Sequence, residues 1–595
     1  MANYGYIKLN INEKGELITE HLDKKRIIVL KNRNVVYIYR SDKLPNRNQR
    51  NFYIGMTTNF KQRHKQHFDG KEEKFNNSNF NEVVVFFSQQ FDISAILDIE
   101  AQLITYFTSE TEDRSKIDSD ENKITNMTQG NVVNPYSNQE EISDIVYQIW
   151  SKVLYDELHW VDTPVLDKLR QKALFKYSPL KSLNSKQVNV IEKIINTPNK
   201  NFVIHGDAGT GKTVLLTHIV ANLINRTDKK VAVVVQPNWK ETARKIFKVY
   251  NFNSKNLLIT TSTSLLNKFK NKDGIREEDK FDIVLIDESH KLSRYHGKQH
   301  ASFREVYKGK IFNNYDNHLD CIRLVSKQVI LMYDVYQAIR PANITRQYFE
   351  DVFKSDDFES EVLETQFRID VSNDKQYTSS DYINGIKYLL YKDTGLLKND
   401  ESYNPNFNRK VFRDSSVNAY FGYFEKEPLH NLKSWKDEDE NFYPQHINRI
   451  LSGLVEEWKF EDGKNPDKYH FFEGDLELRW NSKQDDWINS KDKDAKDQIG
   501  SVFAVQGIDL NKVGVLIGND LQIDSQGKLY GEKNNLKNQY SKYSKNEENE
   551  MTDFEFTLHV LNMYYVLLTR GIDGIRIGFW KNDDFKDYMK KTLDN

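Results

Sequence analysis

Short runs of β-branched and aromatic residues alternate along this chain with polar turns and with stripes of helical period. Val35 to Tyr39 and Asn51 to Ile54 are two such runs, joined by the polar, proline-bearing stretch 41–48, and they predict a hairpin. Val83 to Phe87 predicts a third strand. Between the second and third strands Asn59 suits a helix N-cap, with Lys61, Arg63, Lys65 and His67 inside the helix. Apolar residues at Ile93, Ile96, Leu97, Leu103, Ile104 and Phe107 predict a second helix over 93–107. Residues 131–180 lack strand alternation. Ile142, Ile145, Val146, Ile149, Trp150 and Val153 recur at helical steps, 154–160 and 165–177 continue helically, and Pro135, Pro164 and Pro179 punctuate. The stretch reads either as a connector packed on its neighbours or as a plain spacer.

Beyond residue 180 the pattern changes. Phe202–His205, Val231–Val235 and Leu258–Thr261 read as short strands, and Ile283–Ile286 and Val329–Met332 are apolar runs, as strands of a buried parallel sheet should be. The expected fold class is multidomain α/β: a small α/β domain over 1–135, a helical linker over 136–180, and two parallel-sheet lobes over 181–345 and 346–595, the second with a helical insertion at about 380–490. Tyr382, Tyr388, Tyr391, Tyr420, Phe421, Tyr423 and Phe424 in that insertion suit core packing more than base stacking. Residues 525–550 are rich in Lys, Asn, Gln and Glu and read as a mobile loop.

Composition narrows the class without naming it. The length of 595 residues implies several domains, at roughly 150 residues each. Hydrophobic content of 38% and charged content of 29% suit packed cores. No run approaches the ~20 apolar residues of a membrane helix, and the N-terminal residues lack a signal-sequence pattern. One cysteine, Cys321, excludes a disulfide framework and a thiolate zinc cluster, so a cytoplasmic location and no membrane partner are expected. The formal net charge of −2 gives no global basic field, so any nucleic-acid contact must be local.

Two stretches carry phosphate chemistry. Gly206-Asp207-Ala208-Gly209-Thr210-Gly211-Lys212-Thr213 follows a predicted strand and opens a predicted helix, the context a phosphate-binding loop requires. Gly206, Gly209 and Gly211 let backbone N–H groups close on phosphates, Lys212 reaches the β- and γ-phosphates, and Thr213 ligates Mg²⁺. The apolar run 283–286 delivers Asp287 and Glu288 to its end, the first for the Mg²⁺ shell, the second for the attacking water. ATP is the expected cofactor. Gln187, 19 residues before Gly206, suits the adenine edge, and Gln337, after the apolar strand 329–332, suits a γ-phosphate sensor. Arg368 and Arg570 are two arginines placed to stabilise charge on the transferred phosphoryl group.

In the N-terminal module Arg63 and His67 are four apart and share a helix face. Glu100 lies on the apolar stripe of the next helix, where an unpaired carboxylate is costly and needs a cation or hydrogen-bond partner. Val35-Val36-Tyr37, Tyr53-Ile54-Gly55, Arg63, His67 and Glu100 together resemble the GIY-YIG nucleases over roughly residues 30–135. Val35 stands where the motif has glycine, and Met56-Thr57 stand where some members carry a lysine. The resemblance implies that Tyr37 or Tyr53 works with His67 to activate water, that Arg63 stabilises the scissile phosphate, and that Glu100 holds one divalent metal, Mg²⁺ or Mn²⁺. It also matches Asn126 to the family's asparagine, with 109–123 as an insertion.

Residues 180–590 are similar to superfamily 1 helicases, and most resemble the DUF2075 branch related to the Schlafen helicase domain. Asp334-Val335-Tyr336-Gln337, Gln366-Phe367-Arg368 and Gln506-Gly507 carry that likeness, with Asp509 where many relatives have glutamate. The combined expectation is an ATP-dependent nuclease–helicase that translocates on and cleaves nucleic acid, DNA favoured and RNA open, in bacterial defence against phage or foreign DNA. DNA repair or recombination, and an ATP-driven binding switch with an inactive nuclease fold, are the alternatives. A protein partner or a homo-oligomer is left open.

Overall fold

The computed structural model describes residues 4–42, 50–72, 75, 78–110, 123–124, 138–164, 166–170, 172–180, 183–250, 255–295, 301–372, 374–444, 446–457, 459–483, 487–488, 494–505, 508–537 and 552–594. They cluster into two compact units. The first comprises Met1–Pro198, Thr213–Val231 and Trp239–Ile259; the second comprises Asn199–Lys212, Ala232–Asn238 and Thr260–Asn595.

The first unit is built on strands β1 (Tyr4–Asn10), β2 (Val35–Ser41), β3 (Asn51–Thr57), β4 (Phe80–Ser88) and β5 (Lys123–Ile124), in the order β1-β4-β2-β3-β5. β1, β4, β2 and β3 pair antiparallel, and β5 joins β3 parallel. The predicted hairpin is β2–β3, with Tyr37 opposite Gly55 and Tyr39 opposite Tyr53. Asn59 caps the helix Phe60–His67 by accepting the Gln62 N–H at 3.0 Å. The next helix spans Ile93–Glu110. Its Tyr106 and Phe107 pack on Trp150 of the connector, with ring centroids at 5.7 and 5.1 Å. The six apolar residues read as one face of the connector helix are all buried. That helix runs over Gln139–Gln148 and continues through wide, π-type turns over Ile149–Glu157. Glu110 accepts the N–H groups of Asp162 and Thr163 at 2.8 and 2.7 Å. The connector is therefore packed on the nuclease-like module, because its apolar stripe has a surface to cover.

A six-stranded sheet runs β11-β6-β10-β9-β7-β8, where β6 is Asn201–Gly206, β7 Val231–Val234, β8 Leu257–Thr260, β9 Phe281–Ile286, β10 Ser326–Tyr333 and β11 Phe358–Leu363. β11, β6, β10 and β9 pair parallel, and the apolar runs of β6, β10 and β9 are buried. In the second unit a further sheet, all parallel, runs β12-β20-β17-β13-β16: Phe421–Phe424, Gly571–Phe579, Leu510–Ile517, Arg449–Ser452 and Ile499–Ser501. Two antiparallel ribbons complete the strands, β14–β15 (Phe471–Glu473, Leu476–Leu478) and β18–β19 (Leu521–Ile523, Leu529–Gly531). The second ribbon reaches into the stretch read as a mobile loop, of which 538–550 lie outside the described residues. Of the aromatics in the insertion, Tyr382, Tyr391, Tyr420 and Phe421 are core residues, and Tyr388, Tyr423 and Phe424 pack partly buried against that core. Among the described residues no helix is long and apolar enough to cross a membrane.

Candidate active sites

The N-terminal site is assembled by strand register. Alternation sends Tyr37 and Tyr39 to one face of β2. Tyr37 lies across Gly55, where a Cβ would sit 2.6 Å from the Tyr37 ring carbon Cζ, so only glycine fits. Tyr53 stacks parallel to Tyr37 at 6.3 Å. One helical turn supplies two histidines. The Tyr37 hydroxyl meets His67 Nε2 at 2.8 Å, and the Tyr39 hydroxyl meets His64 Nδ1 at 2.7 Å. The far nitrogens differ: His67 Nδ1 faces Glu72 Oε2 at 2.9 Å, whereas His64 Nε2 faces the Gly15 carbonyl at 2.9 Å. Carboxylate and carbonyl oxygens only accept, so each ring carries its proton there and accepts from its tyrosine.

Electrostatics separates the members of the site. Burial lifts both Tyr37 and Tyr53, Tyr53 to about 12, and the Arg63 guanidinium beside their hydroxyls opposes the rise. Arg63 lies 3.6 Å from Glu72 Oε1. Glu100 is 6% exposed. Burial raises its pKa to about 7, against the Met56 N–H and Arg63, which lower it. A carboxylate held this way suits a divalent cation. Among the described residues no group of three or more His, Cys, Asp or Glu is placed to hold a metal; Mg²⁺ is commonly bound through one or two carboxylates, and Glu100 could supply one. Such an ion would polarise the phosphate and the leaving oxygen. Tyr37, Tyr53, Gly55, Arg63, His67 and Glu100 all gather in this one unit. Asn126 and Gln506 lie outside the described residues.

The glycine loop follows β6. Gly209 and Gly211 have φ of +86° and +82°, a region other residues rarely adopt. A Cβ on Gly206 would collide with the Thr210 hydroxyl. Lys212 opens the helix Lys212–Arg226 with Thr213 next. Its ammonium donates to the Gly206 and Asp207 carbonyls at 2.6 and 2.9 Å and to Asp334 Oδ2 at 3.3 Å. Gln337 donates to the same carboxylate at 2.6 Å. Asp287 is buried just past β9. Glu288 adopts a left-handed φ of +52°. It pairs with His290 at 2.8 Å and Lys291 at 3.5 Å. Burial would raise its carboxyl, but Lys291, His290 and Lys212 hold it well below its ordinary range. The loop's shape and cation fit a nucleotide's phosphates.

Arg368 is brought to the loop. Gln366 donates to the Ala208 carbonyl at 2.7 Å, and a Cβ on Gly209 would lie 2.7 Å from Arg368 Cβ. Its guanidinium pairs with Asp509 at 2.6 Å and donates to the Thr569 carbonyl at 3.3 Å. Arg570 is buried, 2% exposed, where the helix Asp553–Leu568 gives way to β20. Gln187 uses its side-chain oxygen to accept the Asn184 N–H at 3.1 Å in a capping box.

Residues 199–581 match the model of the Schlafen group 3 DNA/RNA helicase domain, and residues 33–126 match that of the GIY-YIG catalytic domain. The chain belongs to the Schlafen group 3 helicase family. Its enzymatic parts are an ATPase/helicase and a GIY-YIG endonuclease domain. An uncharacterized protein of Saccharomyces cerevisiae, YPL245W, is 24% identical over 405 residues, which cover 63% of this chain and 81% of the relative. Solved structures with a likeness to it include a Pif1 helicase from Candida albicans, 15% identical over 44% of this chain and 55% of that chain, TM-score 0.22. A DEAD box protein from the hyperthermophile Methanococcus jannaschii is 12% identical over 69% and 90%, TM-score 0.24.

Sequence reasoning missed three groups in this helicase–nuclease. Glu72 stands five residues past His67 beyond the helix end, where no spacing rule selects it. The Tyr39–His64 pair hides beside the Arg63–His67 spacing. Lys387, fully buried on the helix Ser379–Tyr391, joins loop Asp207 at 2.8 Å to Asp400 at 2.6 Å, under a 2.6 Å bond from the Tyr336 hydroxyl to Asp400. A lone cation among Ile383, Ile386, Leu390 and Tyr391 was the available signal.

Proposed function

We propose that this chain couples nucleotide hydrolysis on its motor to metal-dependent cutting of a nucleic-acid strand by its N-terminal domain. DNA is the favoured substrate, and destruction of invading DNA the favoured role. The observation that carries this reading is the co-existence, on one chain, of a Tyr37–His67 contact beside the buried Glu100 and a phosphate loop whose Lys212 lies inside its own glycine turn. Tyr37, with His67, draws a proton from the attacking water, Arg63 steadies charge on the phosphate, and Glu100 holds Mg²⁺ or Mn²⁺. In the motor, Lys212 and Thr213 grip ATP and its Mg²⁺ with Asp287, Glu288 orients water, Gln187 reads the base, and Gln337, Arg368 and Arg570 respond to the terminal phosphate. The single cysteine, Cys321, is buried and free, which supports a cytoplasmic setting.

The test is cleavage of single- and double-stranded DNA and RNA with Mg²⁺ or Mn²⁺, with and without ATP. Wild type is compared with Glu100→Ala and Lys212→Ala. Loss of cutting in Glu100→Ala, and an ATP effect present only with Lys212, is the expected outcome. Full, ATP-indifferent cutting by Lys212→Ala would end the coupled reading, and a preference for RNA would end the DNA assignment.

A further inference from the structure

We infer that Glu72 is a positioning residue of the nuclease site: it fixes the His67 imidazole in the tautomer that accepts the Tyr37 proton. The inference rests on the nuclease reading proposed above. Both ring nitrogens of His67 are engaged, Nδ1 with Glu72 at 2.9 Å and Nε2 with Tyr37 at 2.8 Å. The side chain is fully buried, and its ring is stacked on Phe75 at 4.1 Å and 11°. Tyr53 stands edge-on at 5.0 Å. Packing therefore fixes the plane of the ring. It does not choose which nitrogen carries the proton. Glu72 does, because a carboxylate can only accept, which places the proton on Nδ1 and leaves Nε2 open toward the phenol. With no acceptor at Nδ1 the ring is free to carry its proton on Nε2, where it would donate to Tyr37 instead of accepting from it.

The same carboxylate serves the charged stage. When the Tyr37 O–H bond breaks, a new N–H bond forms on Nε2 and the ring becomes an imidazolium beside Glu72. Water then gives a proton to the Tyr37 oxygen, its own oxygen bonds to phosphorus, and the leaving oxygen departs and takes a proton from solvent. His67 returns its proton to solvent, which closes the balance. Glu72 also reaches Arg63, at 3.6 Å through its other oxygen, so one side chain sets the orientation of two. His64 supplies the internal contrast. Its far nitrogen meets the neutral Gly15 carbonyl, which offers no charge to an imidazolium, so the second tyrosine–histidine pair lacks what the first has.

The experiment uses the full chain with ¹⁵N-labelled histidine, with the His67 signal assigned by its loss in His67→Gln. Long-range ¹H–¹⁵N spectra read the tautomer in wild type, Glu72→Ala and Glu72→Gln, and single-turnover cleavage is followed with Mn²⁺ as the added metal. We expect the proton on Nδ1 in wild type and a changed tautomer in Glu72→Ala. The cleavage rate of that variant should fall about 10- to 100-fold, the usual size of losing a carboxylate that orients a histidine, with strand affinity unchanged. Glu72→Gln keeps an oxygen that accepts from Nδ1–H, and should retain the wild-type tautomer and recover most of the rate. Retained nucleotide hydrolysis in both variants reports that the chain is folded. A proton on Nε2 in wild type, an unaltered tautomer in Glu72→Ala, or wild-type cleavage by Glu72→Ala overturns the inference. If wild type cuts nothing, the nuclease reading falls by itself, and the tautomer comparison still decides the role of Glu72.

Discussion

The two sites manage buried charge in opposite ways. Around Tyr37 the buried polar groups are phenols and an imidazole, with the partly exposed Arg63–Glu72 pair beside them and a Glu100 whose proton affinity burial has raised to about 7. Aromatic packing holds them, with Phe60 and Phe75 against the tyrosines at 5.1 and 4.7 Å. Around the glycine loop the groups are ionic and already matched. Lys212 has loop carbonyls and Asp334, Arg368 has Asp509, Glu288 has His290 and Lys291, and Asp207 has Lys387. In the first site Glu100 is the carboxylate proposed to hold a divalent metal. On the proposed reading the second exchanges internal partners for a phosphate. A site held by rings keeps its geometry without ligand, whereas a site held by ion pairs is built to change partners.

The largest expected effect tests that exchange. Glu288→Gln removes the carboxylate proposed to orient water in the motor while keeping its shape. Nucleotide hydrolysis should fall about 10²- to 10⁴-fold, the span of general-base contributions. Cleavage in the absence of nucleotide should stay at the wild-type rate. Equal losses of both activities would mean that the two sites do not hold their geometry independently, and the contrast drawn above would fail.

A second test turns on Lys387. Its ammonium is buried between Asp207 and Asp400 and lies 4.9 Å from the centre of the Tyr336 ring. Burial opposes its charge, yet the two carboxylates raise its pKa. Lys387→Met leaves two buried carboxylates without their cation. Removing one partner of a buried pair costs about 3–5 kcal/mol. Thermal unfolding should show this loss, and Lys387→Met combined with Asp400→Asn should regain part of it. The aromatic-held site should keep its nucleotide-free cleavage at temperatures where the variant is folded. An unshifted unfolding temperature would show that Lys387 contributes nothing to holding the loop.

How much of this was legible follows the same division. The hairpin, the Asn59 cap, the Glu100 stripe and the glycine loop were readable because each rests on local periodicity or on a contiguous motif. β1 was not. Tyr4–Asn10 earns its place by pairing with β4, more than seventy residues away along the chain. Glu72 was not legible either, since it meets His67 from beyond the helix end, across an unpatterned turn. Lys387 was within reach: the rule that singled out Glu100, a charge on an apolar stripe, applies equally to a lysine between Ile386 and Tyr388. Its partners Asp207 and Asp400 were not, because only the tertiary fold brings a loop residue and a helix residue together.

The smallest effect separates the two histidines inside one site. His64 is 6% exposed, and burial lowers its pKa from 6.5 to about 4, with the Gly15 carbonyl pulling weakly the other way. Its folded-state pKa lies below the unfolded one, so between those values the unfolded chain binds more protons. Stability is then fully present above pH 6.5 and is lost as pH falls toward 4. At ~1.4 kcal/mol per unit, the 2.5-unit window amounts to at most about 3 kcal/mol. Hydrogen-exchange protection of the β2 amides, followed through that window, should weaken with falling pH in wild type and flatten in His64→Gln. His67 faces a carboxylate in place of a carbonyl, so an imidazolium there has a counter-charge that His64 lacks. If the His64→Gln profile matched wild type, burial of His64 would not be what destabilises this site in acid, and the contrast between the two far-nitrogen partners would lose its support.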